Sequence, residues 1–553
     1  MILASPQDIK YYTDQGIWGT QTLLDCFKKH AQTMPDRVCI KDPLNKKDLL
    51  GTEPEQLTYK ELEQIIDKTA AALIQMGIQK DDIIMVQMPN CWELAMLYLA
   101  VAQAGGILSP VPVLLREAEL SYIADITKAK AFITVEAFNK FSHKQLALKL
   151  QSDFPHLKHV ITYEELREFK NGSVSKETDP VHVDANDIFT ICWTSGTEAK
   201  SKGCPLSHNN WISMSAMQDA AGIEPGDTLF LAGPLVNMAA VGTIYIPWLT
   251  LGGTLVIHHP FDPAVFMKQI VMDKVNYMVL VPAILNIIAK HPQVDAIDLS
   301  SVRSISTGSA PPSLWTMKEF KKRWGIDIGN IWGQNEGTGI VSGIKDIPDM
   351  SVRVDHFPHF GKSGVEWKTR AAKYVNTKII DPDGKKLTKP GDVGELVYKG
   401  PGVIHEYFRN PEMTKNGFTE DGYFKTGDQF QIKENNLISF FERSKDIIIR
   451  GGYNISSQEV ENYLLGHPHV QDAAVVSMPD EVMGEKMCAY VVPMEGQTVT
   501  LDDLTSLMDE KKIAKYKHPE RLEIVDAIPR NSVGKIIKST LRQDIRDKLT
   551  TTS

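Results

Sequence analysis

Residues 193–203 read Trp-Thr-Ser-Gly-Thr-Glu-Ala-Lys-Ser-Lys-Gly and follow the apolar run Ile188 to Cys192. Small and hydroxylated side chains let the backbone come close to an anion, whose oxygens then accept hydrogen bonds from N–H and O–H groups. Thr194, Ser195, Gly196, Thr197 and Lys202 are therefore candidates to cradle a phosphate, with Lys202 adding positive charge. The plain alternative is a solvent-exposed turn. A Walker loop is excluded by spacing: it ends Gly-Lys-Ser/Thr, whereas Lys202 stands between Ser201 and Gly203.

Three further segments carry usable chemistry. In Asn330-Ile-Trp-Gly-Gln-Asn-Glu-Gly337, Trp332 offers a flat face for a purine and Glu336 a hard oxygen for magnesium. Core packing for the Trp and a solvated loop for the Glu are the ordinary alternatives. In Tyr423-Phe-Lys-Thr-Gly-Asp428, the carboxylate can accept hydrogen bonds from both ribose hydroxyls, although Asp before a hairpin is common. Near the C-terminus, Pro529-Arg-Asn-Ser-Val-Gly-Lys535 puts a lysine on a glycine-containing loop, where lysine is usually just solvated.

The elements that must hold these segments are legible. Thr58 and Glu61 have capping-box spacing, and Leu62, Ile65, Ile66, Leu73 and Met76 form a helical apolar stripe that Gly77 ends. Residues 83–88, 254–259 and 277–281 are short apolar strands between helical stretches. Buried strands alternating with amphipathic helices imply largely parallel sheets covered on both faces. From about residue 375 short alternating strands joined by Asp/Gly turns predict a small antiparallel sheet or barrel. After it a helix begins at Ser456, two strands follow at 472–478 and 488–494, and two more helices close the chain. The fold class expected is α/β: a large N-terminal domain of layered subdomains with a small β-barrel, then a small α+β domain.

Composition bounds the rest. The chain has 553 residues and a net charge of −9, which argues against nucleic acid as the main partner. Its six cysteines form no CxxC pair and read as scattered thiols of a reducing compartment. Residues 1–12 show no signal peptide, the C-terminal residues show no lipidation motif, and the apolar stretch Leu94 to Leu108 is too short to span a bilayer. A cytoplasmic protein without an integral membrane segment is expected.

Taken together, the segments resemble the adenylate-forming superfamily, which includes acyl-CoA synthetases, the adenylation domains of peptide synthetases, and luciferases. Residues 194–203 are similar to its phosphate loop Thr-Ser-Gly-Thr-Thr-Gly-x-Pro-Lys-Gly, with Glu198, Ala199 and Ser201 as departures. Residues 332–336 resemble its Tyr-Gly-x-Thr-Glu motif, with Trp332 for Tyr and Asn335 for Thr. Gly308-Ser309-Ala310-Pro311 resembles its adenine segment, and Thr426-Gly427-Asp428 matches its Thr-Gly-Asp. Glu442-Arg443-Ser444-Lys445-Asp446 resembles its Gly-Arg-x-Lys-Asp hinge with Glu442 for Gly, and Pro529 to Ile536 its Gly-Lys-Ile end. The likeness runs from about residue 20 to 545. Residues 11–23 and 476–493 are most similar to stand-alone ligases of alicyclic and aromatic acids, such as cyclohexanecarboxylate–CoA ligases and dihydroxybenzoate–AMP ligases. Residues 233–242 resemble the first group; aryl-acid ligases carry a His where Asn237 stands.

The resemblance implies adenylation of a monocarboxylic acid by ATP, then transfer to the thiol of coenzyme A. A ligase that loads a carrier protein, or a non-catalytic nucleotide-binding protein of the same fold, are the alternatives. By the same likeness Thr194, Ser195, Gly196, Thr197 and Lys202 hold the β/γ-phosphates. Trp332, Ala310 and Pro311 flank the adenine, and Gly308, Ser309, Gly333, Gln334 and Asn335 count with them as ATP/AMP-binding. Asp428 and Arg443 hold the ribose, Glu336 binds Mg2+, and Lys535 bridges the carboxylate and the α-phosphate. Thr194 and Glu336 are counted with Lys535 as catalytic. Lys445 becomes the hinge between domains 1–444 and 445–553, the second of them mobile, and Gly451 and Gly452 flank the thiol channel. The acid pocket is expected at Asn237, Met238, Ala239 and Gly333, where no charged side chain appears to pair with a second carboxylate or an amine. A homodimer is compatible with the resemblance.

Overall fold

The computed structural model describes all residues except 172–180, 195–200, 259, 292, 309–311, 363, 444–445, 451–452, 481, 512, 532–534 and 553. Two sheets dominate the first 342 residues. One runs, in spatial order, Gly203–Ser207, Ile188–Trp193, Ile107–Pro110, Ile83–Gln87, Ala131–Thr134, His159–Thr162. It is parallel except at its first edge, where Gly203–Ser207 turns back antiparallel on Ile188–Trp193.

The other sheet has eight strands, in the order Thr338–Ser342, Asp327–Gln334, Ser304–Gly308, Tyr277–Leu280, Thr228–Leu231, Thr254–Ile257, Val38–Lys41, Gln56–Thr58. Its interior pairs are parallel and its two edge pairs antiparallel. The parallel strands are nearly continuous apolar runs because helices cover both faces. Helix Trp92–Gln103 shows how far this goes, since nearly every residue in it is buried. Helix Tyr59–Gln75 starts with the expected capping box, Thr58 and Glu61 each bonding the other's backbone N–H, and Gly77 beyond it takes a positive φ.

The expected barrel is a curled half-barrel. Five antiparallel strands lie in the order His356–Pro358, Leu437–Arg443, Phe424–Ile432, Val393–Lys399, Asn376–Ile380. Beyond it, the long hairpin Val470–Asp480 with Gly484–Pro493 builds a further sheet, in which Gly484–Pro493 also pairs with Ile448–Arg450 and Arg521–Ile524. Helix Ser457–Leu464 packs on one side of that hairpin and helix Lys538–Thr552 also packs against it. Among the described residues no helix is long and apolar enough to cross a membrane.

Candidate active site

Several candidate residues stand where the parallel strands Ile188–Trp193, Ser304–Gly308 and Asp327–Gln334 end, the usual place for a ligand in an open α/β sheet. Strand Ile188–Trp193 leads into the phosphate-loop segment and strand Gly203–Ser207 leads out of it. The base of this hairpin is clamped: the Thr194 N–H donates to the Lys202 carbonyl at 3.0 Å, and the Lys202 N–H donates to Thr194 Oγ1 at 3.1 Å. Thr194 and Lys202 are thus fixed across from each other, and Ser195, Gly196 and Thr197 lie outside the described residues. Lys202 Nζ stands 5.0 Å from the centre of the Tyr407 ring, and a cavity of about 290 Å³ opens beside them.

A second hairpin, Asp327–Gln334 with Thr338–Ser342, carries Asn335 and Glu336 at its tip. The turn closes with the Gly337 N–H on the Gln334 carbonyl at 3.2 Å. Gly337 is required there: its φ is +85°, and an added Cβ would lie 1.9 Å from the Gly402 carbonyl oxygen. Glu336 is buried, and its Oε1 accepts from the Tyr407 hydroxyl at 2.9 Å. Burial, and then the adjacent carboxylate, push the Tyr407 hydroxyl far above the ordinary tyrosine range, so it stays a donor.

Asn335 ties two parts of the site together. Its Nδ2 donates to the Trp193 carbonyl at 2.9 Å, one residue before the phosphate segment. Its Oδ1 accepts from the Met238 N–H, also at 2.9 Å, at the start of the expected acid pocket. In that pocket Asn237 caps its own short helix, accepting from the Ala240 N–H at 3.3 Å, which is the ordinary role for a buried asparagine. Ala239 and Met238 follow in the same turn. Gly308 ends the strand alongside, opposite Ile331, while Ser309, Ala310 and Pro311 lie outside the described residues. Gly308 and Gly333 both face backbone closely: an added Cβ would come within 2.9 Å of the Ile331 and Thr338 carbonyls respectively.

Asp428 is buried on strand Phe424–Ile432 and joins the same cluster. Its Oδ2 accepts from Trp332 Nε1 at 2.8 Å and from Gln334 Nε2 at 3.0 Å. Gln334 also donates to the Thr426 carbonyl at 2.8 Å. Trp332 is only 8% exposed and packs edge-on against Phe430, so beyond any contact with a base it holds the Asp428 carboxylate. Arg443 is the cross-strand partner of Asp428, with its side chain outside the described set.

Lys535 is tied to Asn531 in the last segment. The Lys535 N–H donates to Asn531 Oδ1 at 2.9 Å, and the Asn531 N–H donates to the Lys535 carbonyl at 2.8 Å. Lys445, Gly451 and Gly452 lie outside the described residues.

The site thus joins Thr194, Lys202, Asn237, Met238, Trp332, Gln334, Asn335, Glu336 and Asp428 through direct contacts or neighbouring positions in the chain. Sequence reasoning missed Tyr407, and with it the group that orients Glu336. It also missed that Asn335 staples the hairpin tip to the phosphate and acid segments. The one signal for the latter was that asparagine replaces threonine there. Among the described residues no group of three or more metal-binding side chains occurs, and Glu336 is the one carboxylate at the hairpin tip that could offer a hard oxygen to Mg2+.

The pattern of the AMP-binding enzyme family matches residues 27–408, and that of the AMP-binding enzyme C-terminal domain matches residues 459–535. The chain is 30% identical to a medium-chain fatty-acid–CoA ligase of Escherichia coli K12, over 98% of its own length and 93% of the relative's. It is 29% identical to a 2,3-dihydroxybenzoate-AMP ligase of Bacillus subtilis, over 97% and 96% respectively. Among solved structures, ATP-bound MatB from Rhodopseudomonas palustris superimposes with a TM-score of 0.81 at 25% identity, over 96% of this chain and 100% of that one.

Proposed function

The chain belongs to the AMP-binding enzyme family, whose members adenylate carboxylic acids, and we propose that it makes an acyl-CoA from a monocarboxylic acid, ATP and coenzyme A. In the first step a carboxylate oxygen bonds to the α-phosphorus, the bond from that phosphorus to the bridging oxygen breaks, and pyrophosphate leaves. In the second, the thiol sulfur bonds to the acyl carbon, the acyl–O bond breaks, AMP leaves, and the thiol proton passes to solvent. Adenylation makes phosphate, not oxide, the leaving group, so the protein needs no nucleophile. It must position the reactants and stabilise charge.

The observation that carries the reading is the Asn335 junction, which fixes the phosphate hairpin at Trp193 and the acid segment at Met238 on one side chain. An acid seated by the second is thereby held against phosphates seated by the first. Lys202 and Thr194, with Ser195, Gly196 and Thr197, take the β/γ-phosphates. Asp428 and Arg443 take the ribose, and the 308–311 segment with Trp332 takes the base. Glu336, oriented by Tyr407, would hold Mg2+, which when bound draws charge from the phosphate oxygens. Lys535 bridges the attacking carboxylate and the α-phosphate.

Clamping by Lys535 and opening for a thiol conflict within one arrangement. We place the domain boundary at 444–445, with Lys445 as the hinge and Gly451–Gly452 facing the pantetheine arm. The acid is a monocarboxylate with a compact apolar body, because residues 237–240 are uncharged and a second buried charge would stay unpaired. The likeness to alicyclic and aromatic acid ligases at residues 11–23 and 476–493 points the same way. To test this, the chain is incubated with ATP, Mg2+, one acid and either coenzyme A or a phosphopantetheinylated carrier protein, and the products are weighed by mass spectrometry. Acyl-CoA and AMP are expected; acylation of the carrier alone would replace the acceptor, and preference for an amino acid or a dicarboxylate would overturn the pocket.

A further inference from the structure

Glu442 stands where the resembled hinge motif has glycine, and it does something glycine cannot. It lies on strand Leu437–Arg443, paired in register with Gln429, immediately beside the Asp428–Arg443 pair. Its side chain points away from that pair and into the last domain. There its carboxylate accepts from the Ser457 hydroxyl, and its Oε2 accepts from the Gln458 N–H at 3.1 Å. These are the first two residues of helix Ser457–Leu464, whose first-turn N–H groups have no partner within the helix and whose positive dipole end favours an anion.

The contact continues inward. Lys538 Nζ donates to the same Ser457 hydroxyl oxygen and forms an ion pair with Glu461 at 3.0 Å. Glu461 is held in turn by the Val475 N–H at 2.8 Å, on the long hairpin of the domain. Glu442, Ser457 and Glu461 are all at most 3% exposed. Lys538 lies three residues after Lys535, on the first turn of the last helix. A short line of buried polar contacts therefore runs from the strand that carries Arg443, through Ser457 and Lys538, to the segment bearing Lys535.

We propose that Glu442 is a positioning residue that sets where Lys535 stands relative to the nucleotide site, by docking the Ser457–Lys538 pair of the last domain onto strand Leu437–Arg443. Rotation of that domain must break these contacts and uncover a carboxylate that is now buried against the Ser457 hydroxyl and the Gln458 N–H. Glu442 thus weights the balance between the docked arrangement and any other. The consequence for turnover rests on the proposed two-step reaction; the docking itself does not.

The test separates the two. The six native cysteines are buried, so single cysteines introduced at the exposed positions Asp383 and Asp502 accept a donor–acceptor dye pair across the two parts of the full-length chain. Inter-dye distance distributions are recorded without substrate for the otherwise wild-type chain, E442G, E442Q and S457A. E442G should move the docked population by about fivefold or more, as expected for losing hydrogen bonds to a charged group. S457A should move it in the same direction, and E442Q, which keeps an acceptor, should recover most of the wild-type distribution. In the same variants the ratio of ATP–pyrophosphate exchange to thioester formation should change by a similar factor, with KM for ATP unchanged. Identical distributions in wild type, E442G and S457A would overturn the docking role. A shifted distribution with an unchanged ratio of half-reactions would overturn the link to Lys535. Loss of all exchange in the unmutated chain would instead count against the adenylation reading, while the distance distributions still decide the docking.

Discussion

Replacing Asp428 separates its role in folding from its proposed role toward the nucleotide. In the fold it accepts from the buried Trp332 indole N–H at 2.8 Å and from Gln334 at 3.0 Å. In D428A the indole N–H loses its acceptor in a buried setting, which costs about 2 kcal/mol. Gln334 keeps the Thr426 carbonyl, so its loss adds less than about 1 kcal/mol. The total is about 2–3 kcal/mol of stability. In D428N the amide oxygen can take the same two donors, and the cost falls to about 1 kcal/mol or less. Toward ATP, two ribose hydroxyls donating to a carboxylate are worth about 1.5 kcal/mol each, about 3 kcal/mol together, or roughly 100-fold in affinity. The amide keeps at most one acceptor and no charge, so D428N should weaken ATP by about tenfold or more while melting near the wild type. The assays are the KM for ATP in pyrophosphate exchange and a thermal melt of each variant. An ATP KM within about threefold of wild type in D428N would refute the ribose role. An unchanged melt in D428A would refute the energetic account of the Trp332–Asp428 bond.

Three further outcomes are expected. Removing the Lys535 ammonium in K535A should slow pyrophosphate exchange about 100-fold or more, as loss of a group that stabilises developing charge does. Thiolysis of a supplied acyl-adenylate should stay within about threefold in that variant, and equal loss of both half-reactions would contradict the assignment. K445P, which restricts φ at the proposed hinge, should leave exchange largely intact and abolish thioester formation; normal overall turnover in that variant would end the hinge reading. Burial holds the His208 imidazole down at about 4, and its Nδ1 accepts from the Leu23 N–H at 3.2 Å. The unfolded chain therefore takes up this proton first. The contribution to stability is full above pH 6.5 and lost as pH falls toward 4, amounting to about 3 kcal/mol. Chemical denaturation of wild type and H208N at several pH values in that window should show a shallower slope in the variant, and identical slopes would contradict the burial argument.

What the sequence conveyed was local. The Thr58–Glu61 box, the apolar runs at 83–88 and 277–281, and the Asp/Gly turns after residue 375 each depend on neighbours a few positions apart, and each is found as an element. The Trp332–Glu336 segment was recognisable as chemistry-bearing, and the structure places it at the end of a strand and in the turn beyond. The partners of that segment were not recognisable. Asn335 bonds to Trp193 across 142 residues, and Glu336 meets Tyr407 across 71. Neither pairing leaves a periodicity or a spacing, because the two members are brought together only by sheet order. Trp332 illustrates the same limit: its flat face suggested a base platform, while its N–H, invisible as a determinant in sequence, fixes Asp428. Glu442 stood out in the sequence only as a departure from a motif, and its use appears once helix Ser457–Leu464 is seen docked on it.

The central claim is that this chain joins an acid to the α-phosphate of ATP. The measurement that meets it most directly is acid-dependent exchange of labelled pyrophosphate into ATP by the wild-type chain. It is run with benzoate, cyclohexanecarboxylate, hexanoate, palmitate, an amino acid and a dicarboxylate, each with Mg2+. Label is expected in ATP with at least one of the compact apolar monocarboxylates and none when the acid is left out. Exchange that does not depend on any acid, or none with every acid of the panel, would contradict the claim.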